Sequence, residues 1–192
     1  MAEARWATFD CYGTLIDWNA GIRGVLERLF GAERAPALRR YHEFEPEVQA
    51  EEYRAYSAVL GLTLERLAAE QGSALPAGRA GLLAASLPEW PPFAEVPGAL
   101  AEARRRGWRL AILSNSDREL IAASERALRL PFDLTVVAED VRSYKPAHAH
   151  WHRFSELTGA ERERHVHVYR KVGPTPERYP RRAGMAAKKP LG

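Results

Sequence analysis

The side chains able to do chemistry in this chain fall at the ends of apolar runs. Trp6-Ala7-Thr8-Phe9 leads directly into Asp10, and Gly13 permits a turn that a β-carbon would obstruct. A carboxylate fixed at the carboxyl end of a strand is a candidate nucleophile, and Thr14 is placed to orient that carboxylate or a substrate. Turn capping is the plainer use of an aspartate beside a glycine, and the residues by themselves leave both readings open. A second run, Trp108-Arg109-Leu110-Ala111-Ile112-Leu113, ends in Ser114-Asn115-Ser116-Asp117, and a third, residues 134–138, precedes Lys145. Lysine is scarce, with Lys145, Lys171, Lys188 and Lys189 set against 24 arginines. An ammonium is a compact charge whose position and pKa can be tuned, which a planar guanidinium does not reproduce, so Lys145 is a candidate functional cation. The plainer readings are a helix cap for Ser114 and a surface lysine for Lys145.

These groups can meet only if the runs that carry them are parallel strands sharing one carboxyl edge. The pattern between them predicts helices over residues 99–106, closed by Gly107, from Ser116 or Asp117 as cap through Leu128, and over residues 147–157. A further strand is expected at residues 165–168. Strands alternating with helices at this spacing predict a parallel sheet covered on both faces. No strand is expected between residues 16 and 90. There Ile22, Val25, Leu26, Leu29 and Phe30 form one apolar stripe stopped by Gly31, and Leu38, Tyr41, Val48, Tyr56, Val59 and Leu60 extend the helical reading. Pro46 implies a break or a first-turn position, while Leu64 with Leu67, then Leu82, Leu83 and Leu87, mark two shorter helices. Such stripes read as the packing of a small helical bundle. Four prolines within residues 88–97 make a stiff connector back to the sheet.

Asp10-Cys11-Tyr12-Gly13-Thr14-Leu15 after an apolar strand, then Ser114, then Lys145, resemble in order and spacing the first three motifs of the haloacid dehalogenase superfamily. The resemblance covers roughly residues 5–172. It implies an α/β fold, a Rossmann-like parallel sheet core with an inserted small α-helical cap domain. The core would comprise residues 1–15 and 93–173, the cap with its Pro-rich connector residues 16–92, and a basic, flexible tail residues 174–192. It implies that Asp10 attacks the substrate and forms a covalent ester, that Ser114 binds the reacting group, and that Lys145 holds the nucleophile charged. Phosphatases of the family place an aspartate two residues past the nucleophile to protonate the leaving oxygen. Tyr12 stands there, and a phenol of reference pKa about 10 is a poor acid for that task. A tyrosine at this point resembles the 2-haloacid dehalogenase branch, where halide leaves without a proton.

In that branch a cap arginine and an asparagine cradle the halide and the substrate carboxylate. Arg40 and Asn115 match best, with Arg39 a competitor, and Tyr12 and Trp151 complete the implied substrate-binding set, Trp151 standing where the branch has a tyrosine. Residues 172–179 resemble the frame of the fourth motif, but Pro174 and Tyr179 stand where aspartates are expected, so no Mg²⁺ site and no cofactor is expected. Glu177 is a conceivable substitute acid. The implied function is a hydrolase with an aspartate nucleophile, most like a 2-haloacid dehalogenase. The alternatives are a small-molecule phosphatase of the same superfamily, which would need Mg²⁺, and a non-catalytic relative with a degenerate fourth motif.

Composition narrows the partners. Seven of the 28 basic residues and one of the 25 acidic ones, Glu177, lie from Arg170 onward, leaving 21 and 24 before it, a balance of −3. A body with that charge is not a nucleic-acid surface, and the resemblance implies a small acidic molecule as substrate. The oligomeric state stays open, a homodimer among the alternatives. Cys11 is the single cysteine, so no internal disulfide forms, and a filler role is expected of it. No apolar run approaches the ~20 residues of a membrane span, so a soluble, cytoplasmic protein is expected. Among His148, His150, His152, His165 and His167 no ligand interval marks a metal site.

Overall fold

A computed structural model of the chain describes residues 4–31 and 36–160. The expected strand at residues 165–168, the fourth-motif frame with Pro174, Glu177 and Tyr179, and the tail lie outside these residues. Three parallel strands form the described sheet, β1 (Trp6–Phe9), β2 (Arg109–Ser114) and β3 (Leu134–Val137), with β2 in the middle. Phe9 pairs in register with Ile112 and Ser114 with Val137, so all three strands end at one edge. Strand β2 reads as a nearly unbroken apolar run because both of its faces are covered. Leu110 and Ile112 join the large core that includes the helical insert, whereas Ala111 and Leu113 pack with Val136 and Phe154 on the other face.

Between β1 and β2 the chain is helical: α1 (Trp18–Phe30), α2 (Pro36–Glu51), α3 (Tyr56–Glu70), α4 (Leu82–Ser86) and a 3₁₀ turn at Leu87–Glu89. The Asp17 carboxylate accepts from Ala20 N at 2.9 Å and so starts α1, while Gly31, at φ +83°, ends it in a conformation that other residues resist. Two helix boundaries differ from expectation. Helix α2 runs through Pro46, which costs it the N–H that would bond the His42 carbonyl but does not break it. Leu64 and Leu67 continue the helix of Tyr56, Val59 and Leu60 rather than starting another, since all five are buried along one uninterrupted helix.

The insert leaves and rejoins the sheet region through one paired doublet. Asp17 N donates to Pro91 O at 2.9 Å, and Phe93 N to Leu15 O at 3.2 Å. Pro91 serves here as an acceptor, the only backbone hydrogen-bonding role left to a proline.

After the connector come α5 (Val96–Arg105), α6 (Arg118–Leu128), the single turn α7 (Ala138–Val141) and α8 (Ala149–Thr158). Helix α5 begins earlier than expected because Pro97 fits its first turn. Turn α7 was not foreseen; Asp140 Oδ2 accepts from Val137 N at 2.9 Å and bends the chain as β3 ends.

Candidate active site

The turn after β1 folds around one carbonyl. Thr14, Leu15 and Ile16 all donate to Cys11 O, and Gly13 supplies a φ of +84°. This leaves Asp10 at the sheet edge with its side chain 46% exposed. Its Oδ1 accepts from Cys11 N at 2.8 Å and from Lys145 Nζ at 2.9 Å. Oδ2 has no hydrogen bond among the described residues, so one oxygen is anchored and the other is available.

Lys145 is fixed along its length. Its Nζ also donates to Leu113 O at 2.8 Å, and its backbone exchanges two hydrogen bonds with the Asn115 carboxamide, N to Oδ1 at 2.6 Å and Asn115 Nδ2 to the carbonyl at 3.1 Å. Asn115 thus extends β2 sideways to hold the loop that carries the lysine, and one of its amide hydrogens remains for a ligand. Ser114 is buried, and its carbonyl accepts from His150 Nε2 at 3.0 Å. Burial pushes the His150 imidazole below its usual pKa, which favours the neutral tautomer that makes this donation. His150 therefore serves as a buried support beneath Ser114. Among the described residues no group of three histidine, cysteine or acidic side chains could hold a metal ion.

Asp10, Tyr12, Ser114 and Asn115 line a cavity of about 160 Å³ together with Trp18, Glu45, Gln49 and Tyr56 of the insert. The Tyr12 phenol bonds Ser124 Oγ at 3.2 Å, and its ring stacks on Tyr56 with centroids 6.3 Å apart. Burial raises its pKa far above the usual phenol value, so Tyr12 is a neutral wall. Burial, reinforced by Asp10, likewise pushes the Cys11 thiol up and suits it to filling space.

The structure does not bring three of the expected residues, Arg40, Trp151 and Thr14, to the lining of this cavity. Arg40 lies nine positions before Gln49, which at 100° per residue is the opposite side of α2. It pairs there with Glu43 at 2.6 Å and Glu70 at 2.7 Å. Its neighbour Arg39 is also outward, 82% exposed. Trp151 belongs to the far face of the sheet, edge-on to Phe154 at 6.2 Å and packed on the Leu113 cluster. Thr14 is exposed on the turn and absent from the lining.

Two residues that matter here carried little signal. Asp117, expected as a cap for α6, instead caps the insert: its two oxygens accept from Tyr56 N at 2.7 Å and Ser57 N at 2.8 Å, the first N–H groups of α3. A core side chain thereby supplies the cap that Ala55 cannot. Glu45 is only 5% exposed; Oε1 accepts from the Tyr56 hydroxyl and from Gln49 Nε2, both at 2.9 Å. Burial raises its pKa to about 7. Its position four after Tyr41 and three before Val48 put a glutamate on an apolar stripe, which was the available clue.

Comparison with known proteins gives the same frame. The family of haloacid dehalogenase-like hydrolases matches residues 4–168. The (S)-2-haloacid dehalogenase of Pseudomonas sp. (strain YL) is 31% identical over 168 residues, 84% of this chain and 72% of that protein. Haloacetate dehalogenase H-2 of Moraxella sp. (strain B) is 28% identical over 175 residues, 85% of this chain and 75% of that one. The solved L-2-haloacid dehalogenase of Xanthobacter autotrophicus with chloropropionic acid covalently bound superposes with a TM-score of 0.73 at 19% identity, over 82% of this chain. This chain spans 66% of that enzyme's length, and the likeness is one of fold. A family match across most of the sequence, joined to a relative above 30% identity that aligns over most of both chains, places this protein among the haloacid dehalogenase-like hydrolases.

Proposed function

We propose that the protein hydrolyses a carbon–halogen bond in a small 2-halogenated acid, with Asp10 as nucleophile and residues 16–92 as the cap that closes the cavity. The observation that carries this reading is the Asp10–Lys145 contact of 2.9 Å at the sheet edge, with Oδ2, beside Ser114 and Asn115, left without a partner among the described residues. In the first step Oδ2 attacks the halogenated carbon, the new C–O bond forms, and the halide leaves with the bonding pair. Water then adds to the ester carbonyl; the alcohol product departs with the oxygen that came from Asp10, and one proton is released. No acid is required for the leaving group, which agrees with a neutral, partly buried Tyr12 two residues after the nucleophile. No metal takes part in these steps. In this reading Ser114 and the remaining Asn115 N–H hold halide or substrate, and Lys145 balances the charge of the carboxylate.

Halide release from 2-chloropropionate and chloroacetate tests the proposal. Activity should be measurable with the native chain and fall at least about a thousand-fold in Asp10→Asn. Lys145→Arg should fall about a hundred-fold, because a guanidinium cannot reach both Leu113 O and Asp10 from the same backbone. An active Asp10→Asn enzyme would refute the assignment.

A further inference from the structure

The cavity has an unusual charge balance for a site that would take an anion. None of its eight lining residues is a cation; Lys145 pairs with Asp10, and Arg40 is on the opposite side of α2. The acidic group on the insert's side is a carboxyl, Glu45, which both Tyr56 and Gln49 hold through Oε1. Oε2 has no hydrogen bond among the described residues, and the residue lines the cavity wall.

We propose that Glu45 is a specificity-determining residue of this cavity: as the neutral acid it donates a hydrogen bond to a substrate carboxylate, and as the carboxylate it repels one and favours an uncharged 2-haloamide. This rests on the reading of Asp10 as the attacking group. The neutral form has its acidic hydrogen on Oε2, since Oε1 already accepts two hydrogen bonds, so the acid can replace a cation as the partner of an anionic substrate. Ionised, the same oxygen places a negative charge, desolvated by its surroundings, beside the substrate anion, while an amide N–H₂ meets it favourably.

Among the described residues, the phenols around Glu45 do not ionise near neutrality. Tyr41 on its own helix, Tyr56 on α3, Tyr12 on the first turn and Tyr144 on the loop after α7 all have phenol pKa values raised by burial. Gln49 does not ionise, and His42, one turn earlier on α2, bonds Asn19 and is pushed below its usual imidazole value by burial, so Glu45→Gln is the variant that separates the two. Burial lifts the Glu45 carboxyl to about 7, so both forms are populated near neutral pH.

The test is the ratio of kcat/KM for 2-chloropropionate to that for 2-chloropropionamide, measured from pH 5.5 to 8.5 on the native chain and on Glu45→Gln. For the native chain the ratio should fall at least about ten-fold as pH rises through the Glu45 range. In Glu45→Gln, whose carboxamide keeps a donor but cannot ionise, the ratio should be flat with pH. A native ratio that does not change with pH, or a fall that persists in Glu45→Gln, overturns the proposal while leaving the chemistry at Asp10 in place. Failure of the native chain to release halide from either compound would instead refute the underlying reading, and with it this one.

Discussion

At the scale of single residues the site combines two carboxyls in opposite circumstances. Asp10 is half-exposed, tied to an ammonium and a backbone N–H through one oxygen. Glu45 is buried among phenols and a carboxamide, with no ion pair to a cation among the described residues. Its effect on stability has a definite sign. The folded protein binds the Glu45 proton more tightly than the unfolded chain does, because its pKa rises from 4.5 to about 7. The stabilisation from the protonated form is therefore complete below about pH 4.5 and is lost as pH rises through about 7. The loss amounts to about 3 kcal/mol for a group this buried. Urea unfolding at pH 5 and pH 8 should show the native chain losing more stability than Glu45→Gln by an amount of this order; parallel losses in the two proteins would contradict the assignment. His150 acts at the other end of the scale, since a buried imidazole held neutral costs stability as pH falls through the ordinary histidine range.

At the scale of elements, the question is what fixes the insert over the strand ends. Helix α3 starts on a core carboxylate, Asp117, and Tyr144 on the loop after α7 donates to Arg54 O at 2.8 Å just before that start. Tyr56, the first residue of α3, then stacks on Tyr12 and bonds Glu45, so the cap placed by Asp117 is transmitted to the cavity wall. Asp117→Ala should lower the unfolding free energy by about 1–2 kcal/mol, a melting-temperature drop of about 2–8 °C. It should also raise KM for the halogenated substrate. An unchanged melting temperature would show that α3 does not depend on this cap.

Much of this was legible in the sequence, for physical reasons that also mark where legibility ended. Asp10, Ser114 and Lys145 each come after an apolar run, and parallel pairing brings the ends of those runs to one edge, so their proximity was legible, while the roles expected of them came from the resemblance. The insert was harder. An arginine pair beside Leu38 and Tyr41 looked like a ligand for an anion, but helix phase turns Arg40 to solvent, where it pairs with Glu43 and Glu70. Phase also places Trp151 three residues before Phe154, on the helix face that packs against the sheet. Asp117 stood where a helix cap belongs and caps a different helix, a long-range choice that local chemistry does not encode. Proline at position 46 suggested a break, yet packing along Tyr41 and Val48 carries α2 through it.

At the scale of the molecule, one apolar cluster runs without interruption from Leu26, Tyr41 and Leu60 of the insert, through Leu15, Ile16 and Trp90 of the connector, to Leu110, Ile112 and Val137 of the sheet. The cavity thus sits on a continuous packed support rather than between loosely joined parts, which is what a displacement reaction needs to hold a carboxylate oxygen in line with a carbon. We propose that this support presents Asp10 as a covalent nucleophile. Single-turnover reaction of excess enzyme with 2-chloropropionate in heavy-oxygen water tests it most directly, with mass analysis of both the lactate formed and the peptide containing Asp10. The account predicts unlabelled lactate and one heavy oxygen in the Asp10 carboxylate, since the alcohol oxygen comes from the side chain and water replaces it. Labelled lactate with an unlabelled Asp10 would mean that water attacks the carbon itself, and would contradict the account.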